Sequence, residues 1–407
     1  MINSGDTAFV LAAAGLVLLM TPGLALFYGG MVRSKNVLGT IMQSLIMISV
    51  ISIEWVLIGY SMSFGPDING MLGNLSWFAL KGVGSAPSPT YATTIPQNVF
   101  MIYQCMFAVI TPALITGAIA ERIRLSSFIV FSLLWTILVY NPVCHWIWGS
   151  GGWLAARGVL DFAGGLVVHL TSGAAALAAV LVMGPRYGHG KRSFAPHNLP
   201  MTIIGTALLW FGWFGFNAGS ALAANGIAAT AFVATHLAGM TGMAMWVFME
   251  SIQHGKPTTL GAASGAVAGL ATITPAAGFV GPIAAMAIGL IAGLVCYSAV
   301  NLKEKIGLDD SLDVVGIHGV GGIIGTICLG IFASKAVNAG GANGLLAGNA
   351  GFLGTQIFAV LVVGSYAFVV SWLLLKIINT VMGLRVGKED EISGLDQSLH
   401  NENAYNN

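Results

Sequence analysis

The sequence predicts an all-α polytopic membrane protein with eleven transmembrane helices. Three observations lead to this fold class: the composition, the number of long apolar runs and the distribution of Lys and Arg. Hydrophobic residues make up 56% of the 407 residues and charged residues only 8%, and the mean hydropathy is +0.84. These values are far from those of soluble domains. The 55 glycines fit helices that pack closely through small residues, as in the four-residue repeat of Gly261, Gly265 and Gly269.

Long apolar runs divide the chain into its predicted spans, because a spanning helix needs about 20 mostly apolar residues. The first run is long enough to span, and residues 1–7 before it carry no positive charge. We therefore expect no cleavable signal peptide. The eleven runs lie at about 8–31, 37–64, 98–120, 125–141, 162–184, 199–220, 227–249, 259–275, 279–302, 314–334 and 354–382.

Lys and Arg predict the orientation, since cytoplasmic loops carry an excess of these residues. With eleven spans and an external N-terminus, twelve basic residues fall in inner loops and three in outer loops. The sequence therefore predicts an N-out/C-in topology. The inner set is Arg33, Lys35, Arg122, Arg124, Arg186, Lys191, Arg192, Lys256, Lys303, Lys305, Arg385 and Lys388, and the outer set is Lys81, Arg157 and Lys335.

Two matching histidines indicate an internal repeat. His169 and His318 lie in the fifth and tenth runs, and each follows an aspartate, Asp161 or Asp310, by eight residues. Because each set contains an odd number of spans, the second set begins on the opposite side of the membrane from the first. The second set therefore runs inverted relative to the first. Inverted repeats place substrate sites near the membrane midplane, between the halves.

The predicted organisation is thus an inverted 5+5 repeat plus an added eleventh helix. The membrane domain covers residues 1–382, with repeat halves at about 8–184 and 199–334 and the extra helix at about 354–382. Residues 383–407 form a polar cytoplasmic C-terminal tail. No soluble catalytic domain is recognisable in the sequence.

The two histidines are the main candidates for function. An imidazole in hydrocarbon is costly and normally faces a bundle interior or a water-filled cavity. Burial disfavours the charged form, so both rings should be mainly neutral. Two such rings in contact could share one proton and guide a small polar molecule through a dry passage, which is a transporter signature. The alternative is a histidine that only bonds to a neighbouring helix, and His236 is interpreted in that way.

The aspartates are interpreted less symmetrically. Asp161 opens the fifth span, where a carboxylate can cap the helix; it would also lie on the outer face and could favour cation access there. Both roles stay open. Asp310 and Asp313 precede the tenth span on the inner face and are interpreted as caps, with Asp313 the better placed. We therefore expect only the histidines, and not the aspartates, to act as a functional pair.

Aromatic residues cluster near the predicted outer face. Tyr103 and Phe107 lie one turn apart on the third span, Phe216 and Ser220 share a stripe on the sixth, and Trp148 follows the fourth. One interpretation is an aromatic belt at the lipid interface. The other is a cation–π cage with a hydroxyl acceptor, which suits a cation that carries N–H donors better than a bare metal ion.

Other residues exclude several classes of function. The four cysteines lack paired short spacings, so we expect neither a metal site nor a disulfide framework, and no cofactor. A net charge of +1 implies no nucleic-acid partner. Two histidines without a nearby carboxylate at mid-depth do not make a hydrolase, so the protein is predicted not to be an enzyme. Glu54 is intramembrane and has no evident partner in the sequence.

Ordered motifs carry a resemblance to a known family. The chain resembles bacterial members of the Amt/Mep/Rh ammonium transporter family nearly end to end. The motifs are Pro22-Gly23-Leu24-Ala25-Leu26-Phe27-Tyr28-Gly29-Gly30, Ala120-Glu121-Arg122, Asp161-Phe162-Ala163-Gly164-Gly165, Val168-His169, Pro196-His197-Asn198-Leu199-Pro200, Gly212-Trp213-Phe214-Gly215-Phe216-Asn217-Ala218-Gly219-Ser220, Gly316-Ile317-His318-Gly319 and Gly383-Leu384-Arg385-Val386.

The resemblance implies roles for the aromatic residues. Trp148, Phe107 and Ser220 would form an outer recruitment site for ammonium. Tyr103 stands where the family outer gate commonly begins with Phe, and we include it in the site. Phe107 and Phe216 would stack as a gate below.

The resemblance also implies the pore and the assembly. His169 and His318 would line a narrow pore, and Asp161 would support the site without touching the ligand. The protein would be a homotrimer in the inner (cytoplasmic) membrane, surrounded by lipid, with one pore in each subunit. The tail resembles that of members whose cytoplasmic face is plugged by a PII-type regulatory protein.

The expected mechanism is recruitment of ammonium, its deprotonation near the gate, passage of ammonia, and separate proton transfer along the histidines. Desolvation disfavours a charged form, so ammonium should lose its proton on leaving water. Potassium has no proton to lose and would be desolvated without compensation. The alternatives are a neutral-gas channel and a sensor that signals through its tail.

Overall fold

The computed structural model describes residues 1–405, and helices form most of it. Ten helices are long and apolar enough to cross a membrane, and one shorter apolar helix lies among them. The prediction of an all-α polytopic membrane protein is thus confirmed. In chain order the helices are α1 Ser4–Met31, α2 Ser34–Phe64, α3 Gln97–Ile119, α4 Leu125–Ala156, α5 Gly165–Met183, α6 Leu199–Gly219, α7 Gly226–His254, α8 Thr259–Ile273, α9 Pro282–Lys305, α10 Val315–Phe332 and α11 Ala350–Met382.

The eighth predicted span is helical only in part. At 1.5 Å per residue, the 15 residues of α8 cover about 22 Å, less than the hydrocarbon thickness of about 30 Å. Pro275 lacks the N–H that would continue the helix. Residues 274–280 are non-helical and buried, and the Pro275 carbonyl accepts a hydrogen bond from Phe162 N at 3.1 Å. Such backbone is tolerated at membrane depth only where protein surrounds it.

Small residues let α7 and α8 approach closely, as the glycine repeat predicts. A Cβ added to Gly269 would lie 2.2 Å from the Ala238 carbonyl oxygen, and one added to Gly265 would lie 2.4 Å from Trp246 Cβ. Any larger residue at these positions would push the two helices apart.

Helix α4 continues beyond its predicted end at 141 and reaches Trp148 before it breaks at Gly149. Pro142 cannot donate to the carbonyl of Leu138. The hydroxyl of Tyr366 on α11 donates to that carbonyl instead, at 2.6 Å. A π-helical turn at Thr136–Tyr140 precedes the proline. The longer helix carries Trp148 into the site described below.

Two small antiparallel hairpins lie in the loop between α2 and α3. They pair β1 Asp67–Ile68 with β2 Leu72–Gly73, and β3 Pro87–Ser88 with β4 Ala92–Pro96. Trp153, at the end of α4, donates its backbone N–H to Gly70 O at 3.1 Å. We call this end of the bundle the vestibule end.

The chain after α11 folds against the opposite end, which we call the tail end. It forms α12 Lys388–Ser393 and α13 Leu395–His400. The carboxylate of Asp396 accepts hydrogen bonds from Leu38 N at 3.0 Å and Gly39 N at 2.8 Å, so the tail caps the first turn of α2. Residues 406–407 of the predicted tail lie outside the described residues.

Candidate transport pathway

A cavity of about 320 Å³ opens at the vestibule end and contains most of the predicted recruitment residues. Phe107, Trp148 and Ser220 all line it. The rings of Phe107 and Trp148 meet edge to face, with centroids 6.0 Å apart and an interplanar angle of 89°. The tertiary structure therefore brings together residues of α3, α4 and the end of α6 around one space.

Tyr103, which we expected in the recruitment site, supports it from behind. Its side chain is fully buried and does not line the cavity. Its hydroxyl lies 3.0 Å from Gly215 O, 2.9 Å from Phe216 O and 3.2 Å from Ser220 Oγ. The phenol points at these oxygens because the polar atom of a buried tyrosine needs a partner, and the hydroxyl of Ser220 is one of them.

Ser220 can present an acceptor to the cavity. Its Oγ donates to Phe216 O at 2.9 Å, and a hydroxyl has one proton and two lone pairs. With the proton used towards the helix or Tyr103, a lone pair remains for an N–H donor in the cavity. This arrangement fits the expected hydroxyl acceptor.

Gln104 is a vestibule residue that sequence reasoning missed. It lines the same cavity, and its side-chain oxygen is buried without a hydrogen-bond partner. A second acceptor therefore lies near the aromatic rings. Its position one turn before Phe107 is a signal in the sequence, because residues three apart on a helix share a face.

The indole of Trp148 is held by the backbone. Its Nε1 donates to the carbonyl of Asp161 at 2.7 Å. The ring orientation therefore depends on the conformation of the segment that leads into α5. This contact links the vestibule to the helix that carries His169.

Two phenylalanines in contact lie between the vestibule and the histidines. The ring centroids of Phe107 and Phe216 lie 4.2 Å apart, with an interplanar angle of 32°. The structure thus brings the two residues of the predicted gate together. The ring of His169 lies beyond, 6.1 Å from that of Phe216.

The two predicted pore histidines touch each other. Nδ1 of His169 lies 3.2 Å from Nδ1 of His318, and the rings lie at 23° to each other with centroids 5.2 Å apart. Two neutral imidazoles in this contact must be different tautomers, because one Nδ1 has to donate and the other accept. Nε2 of His169 is buried and has no partner, so it can bond to a passing molecule.

The passage around the histidines is narrow and dry. Its cavity is about 10 Å³, close to the space one water molecule needs. The lining residues are apolar apart from the two imidazoles and Trp213, whose indole N–H already donates to Thr274 Oγ1 at 3.0 Å. A solute here meets two imidazoles and otherwise hydrocarbon.

The carboxylate of Asp161 is fully engaged by the start of α5. One oxygen accepts from Gly164 N and Gly165 N, at 2.8 and 2.7 Å, and the other from Leu166 N and Val167 N, at 2.8 and 3.1 Å. Burial outweighs the four N–H donors and raises the pKa of this carboxyl above its ordinary value. With both oxygens surrounded by donors, the anion is the form that fits. The carboxylate therefore anchors the backbone at the start of α5.

Asp310, and not Asp313, caps the turn that carries His318. Its two carboxylate oxygens accept from Val314 N at 3.2 Å and Val315 N at 2.8 Å. Asp313 has a φ of 65° and instead pairs with Lys303 at 2.5 Å. The prediction that Asp313 is the better cap is wrong, because its carboxylate is directed at Lys303 and the free N–H groups of the turn are bound by Asp310.

The two aspartates therefore share chemistry, contrary to expectation. Each holds the N-terminus of a π-helical turn, Gly165–Leu170 or Val315–Gly319, that contains the histidine. π-helical turns are rare and frequent at functional sites. The common spacing of eight residues thus corresponds to one structural unit that occurs twice.

Glu54 and His236 stay outside this pathway. The Asn141 amide donates to Glu54 Oε1 at 2.8 Å, which gives the intramembrane carboxyl a partner on α4. His236 is exposed on the surface of α7, and its ring lies 5.7 Å from that of Trp210. Neither lines the vestibule or the histidine passage.

A buried ion cluster joins the loops at the tail end, and sequence reasoning did not identify it. The guanidinium of Arg186 donates to both carboxylate oxygens of Asp309, with Nε at 3.0 Å from Oδ2 and Nη2 at 2.7 Å from Oδ1, and the Arg186 backbone N–H donates to Oδ2 at 2.6 Å. It also contacts Glu121 at 3.1 Å, and Glu121 contacts Arg33 at 2.9 Å. Burial raises the pKa of both carboxyls, but the arginines outweigh this and hold both pKa values below their ordinary range.

Replacing Asp309 with asparagine should lower the free energy of unfolding by about 3 kcal/mol at pH 7, the usual cost of leaving one member of a buried ion pair alone. Because the pKa of Asp309 is lower in the folded state, its contribution is complete above the unfolded value of about 3.9. It is lost as the pH falls through the folded value. Thermal unfolding in detergent should therefore show a gap between the two proteins that narrows below about pH 4.

Glu389→Gln serves as the matched control for this prediction, since Glu389 is an exposed carboxylate at the same end of the molecule. It should leave the unfolding temperature unchanged at pH 7. An equal loss in Asp309→Asn at pH 7 and pH 3 would contradict the role of the ion pair.

A membrane bundle with an open aromatic vestibule and a narrow apolar passage lined by two imidazoles defines a transporter of a small polar solute. The sequence profile of the Ammonium Transporter Family matches residues 8–405. The chain belongs to that family, and it is a transporter and not an enzyme.

Individual relatives agree with this assignment. An ammonium transporter of Bacillus subtilis (strain 168) is 52% identical over 402 residues, covering 98% of each chain. Amt1, an ammonium transporter of Archaeoglobus fulgidus, is 48% identical over 403 residues, covering 99% of this chain and all of the relative. The crystal structure of Saccharomyces cerevisiae Mep2 is similar with a TM-score of 0.89 and 37% identity, covering 95% of this chain and 91% of that one.

Proposed function

We propose that the protein recruits ammonium in the vestibule, removes its proton near the phenylalanine gate, conducts ammonia past the histidines and transfers the proton separately along them. The observation that carries this proposal is the 3.2 Å contact between the imidazoles of His169 and His318 within an otherwise apolar passage. Such a passage excludes a hydrated cation but offers one polar route.

The vestibule chemistry supports ammonium as the solute. The faces of Phe107 and Trp148 can attract a cation, and Ser220 and Gln104 supply acceptors for its N–H groups. A bare metal ion requires several oxygen ligands instead. Ammonium is thus the ion whose charge and donors are both satisfied here.

The dry passage supports deprotonation before conduction. Transfer out of water destabilises the ionised form of an amine, so ammonium that moves past Phe216 is driven towards ammonia. Potassium cannot take this route, because it has no proton to release and would lose its hydration without compensation. The selectivity for ammonium over potassium therefore follows from the ability of ammonium to lose a proton more than from the width of the pore.

The imidazole pair supports a separate path for the proton. One Nδ1 donates to the other, and the buried Nε2 of His169 has no partner. When His169 is the donor in this hydrogen bond, a proton taken up at its Nε2 converts the ring to an imidazolium. The proton on Nδ1 of His169 can then move across the hydrogen bond to Nδ1 of His318. Transport by this path moves net charge.

Currents from reconstituted protein on a solid-supported membrane test the proposal. An ammonium pulse should give a transient current, and an equal potassium pulse should give none. A methylammonium pulse then reports how the vestibule tolerates a larger amine. Ammonia flux without any ammonium current would instead establish the neutral-gas alternative.

We also propose eleven spans in an inverted 5+5 repeat, with the vestibule end outside and the tail end in the cytoplasm. The excess of basic residues in the loops at the tail end supports this orientation, and the two matched π-helical turns support the repeat. The proposed membrane domain is 1–382, with the tail at 383–407.

Cysteine labelling tests the orientation. The four native cysteines are buried, so an impermeant maleimide should label Lys81→Cys and not Lys191→Cys from outside intact cells. The reverse pattern would refute the orientation.

A homotrimer in the cytoplasmic membrane is the proposed assembly. The imidazole of His236, in the middle of α7, is exposed, and Phe211 on α6 and Phe232 on α7 are 56% and 45% exposed. A lipid-exposed histidine is costly, which supports contact of this α6–α7 face with another subunit. The mass of the detergent-solubilised protein tests the trimer, and a monomeric mass would refute it.

A PII-type regulatory protein is the proposed partner at the cytoplasmic face. The compact tail, held by Asp396 on α2, supports a defined docking surface there. Co-purification with a PII-type trimer from cells given an ammonium pulse tests this partner, and absence of binding under those conditions would argue against it.

A further inference from the structure

A second cavity, of about 430 Å³, lies on the bundle surface between α5, α10 and α11. We call it the rear groove, and its lining includes Leu170, Gly173, Gly319, Gly364 and Phe368. Its depth is that of the histidines, because Leu170 and Gly319 directly follow His169 and His318 in the chain. Gly364 also lies near the middle of the 33-residue helix α11.

The rear groove exists because three of its lining residues, Gly173, Gly319 and Gly364, have no side chain. A Cβ added to Gly173 would lie 2.1 Å from Gly319 Cα, so the helices that carry the two histidines touch through bare backbone. For a Cβ added to Gly364 the nearest atoms would be carbons of Leu170, none closer than 3.6 Å. The space between α11 and that backbone contact is therefore unfilled by the protein.

The lining of the rear groove selects a hydrocarbon occupant. Among the residues that the structure describes, its only polar side chain is Ser365, and a helical serine can bond to its own backbone. An ordered water molecule needs two to four polar partners, which this surface lacks. The volume lies within the range of ligand pockets.

Exposed aliphatic side chains lie on the helices that form the rear groove. Leu181 on α5 and Leu361 and Val369 on α11 are 56%, 63% and 50% exposed. Such side chains suit contact with the hydrocarbon tails of lipids. At this depth the available hydrocarbon is the acyl chain of a membrane lipid.

We propose that the rear groove binds one acyl chain of a phospholipid, which packs against the backbone contact behind the histidine pair. The acyl chain fills the space that the missing side chains of Gly173, Gly319 and Gly364 leave open. A membrane lipid thereby completes the packing behind the two π-helical turns. The proposal rests on the membrane fold and holds whether or not the proposed transport mechanism is correct.

Photo-crosslinking in reconstituted vesicles tests the rear groove. A phosphatidylcholine with a diazirine in the middle of one acyl chain should form adducts on peptides that contain Leu170 or Phe368. The same lipid with a headgroup diazirine should not label those peptides. In Gly364→Leu the new side chain fills the groove, and the adduct yield should fall about fivefold or more, as expected for loss of a modest binding free energy.

Gly354→Leu is the matched control, because it makes the same change on the same helix where a Cβ would meet nothing within 4 Å. It should leave the adduct yield unchanged. Gly364→Ala, a milder change, should lower the yield less than Gly364→Leu, so the test survives if the larger variant fails to fold. Equal yields in Gly364→Leu, Gly364→Ala and Gly354→Leu would overturn the proposal. So would a crosslink to a second copy of the chain from a photoreactive residue at Ser365.

Discussion

Replacing both His169 and His318 with leucine should reduce the ammonium-driven current by about 100-fold or more, the scale on which loss of positioned proton transfer acts. In the folded protein the two Nδ1 atoms are 3.2 Å apart, and the remaining lining cannot carry a proton. The double variant leaves a passage of hydrocarbon, which should conduct ammonia but not charge. The measurement is the current after an ammonium pulse, alongside ammonia flux in the same vesicles.

His236→Leu is the matched control for the double variant, because it removes an imidazole at membrane depth from outside the passage. Its current should equal that of the parent protein. Single variants at His169 or His318 should lose most of the current, because each imidazole needs the other to pass the proton on. Full current in the double variant would refute the proton relay.

Replacing Asp161 with asparagine should reduce transport about tenfold or more. The carboxylate accepts four backbone N–H groups from residues 164–167, and an amide would oppose two of them with its own donors. Each unsatisfied N–H costs about 1–3 kcal/mol. The turn that carries His169 and the carbonyl that orients Trp148 should therefore both move. Transport rate and half-saturating ammonium concentration report these two effects separately.

Asp310→Asn provides the comparison for Asp161→Asn. Asp310 accepts only two N–H groups, one on each oxygen, so an amide would leave one of them unsatisfied. The loss of transport should be smaller, and Trp148 is too far along the chain from this turn for the vestibule to change. A larger defect in Asp310→Asn than in Asp161→Asn would contradict the capping argument.

The membrane fold was predictable because it depends on composition over long segments. A run of about 20 apolar residues has few alternatives to a helix in lipid, and all eleven runs overlap a helix of the structure. The ends of these helices were less predictable. Pro142 should have ended α4, but the hydroxyl of Tyr366, more than 200 residues away, replaces the missing donor. A contact between residues this far apart in the chain leaves no pattern in the local sequence around either residue.

The site was predictable where a residue type is costly in lipid or shares a helical face with another. Histidines in apolar runs are of this kind, and the structure brings His169 and His318 into contact. The contact of Phe107 with Phe216 was expected only from the family resemblance, because the two residues lie on different helices, and the structure shows it. The role of Tyr103 was not predictable, because its hydroxyl turns away from the cavity towards carbonyls of α6. The acceptor of Gln104 was missed although its position one turn before Phe107 places it on the same helical face, because the sequence does not show that its amide oxygen is left without a partner.

By itself the sequence determined that the protein lies in a membrane, how many apolar segments it has, and that two histidines repeat behind two aspartates. These properties follow from free energies of transfer and from spacing along the chain. Only the tertiary structure decided what the aspartates do. Asp161 and Asp310 each bind the free N–H groups of a π-helical turn, and this depends on backbone direction at the helix start, which residue identity alone does not specify. The tertiary structure also decided that the two turns meet at bare glycine backbone behind the histidines, because the contact of Gly173 with Gly319 joins helices from opposite halves of the chain.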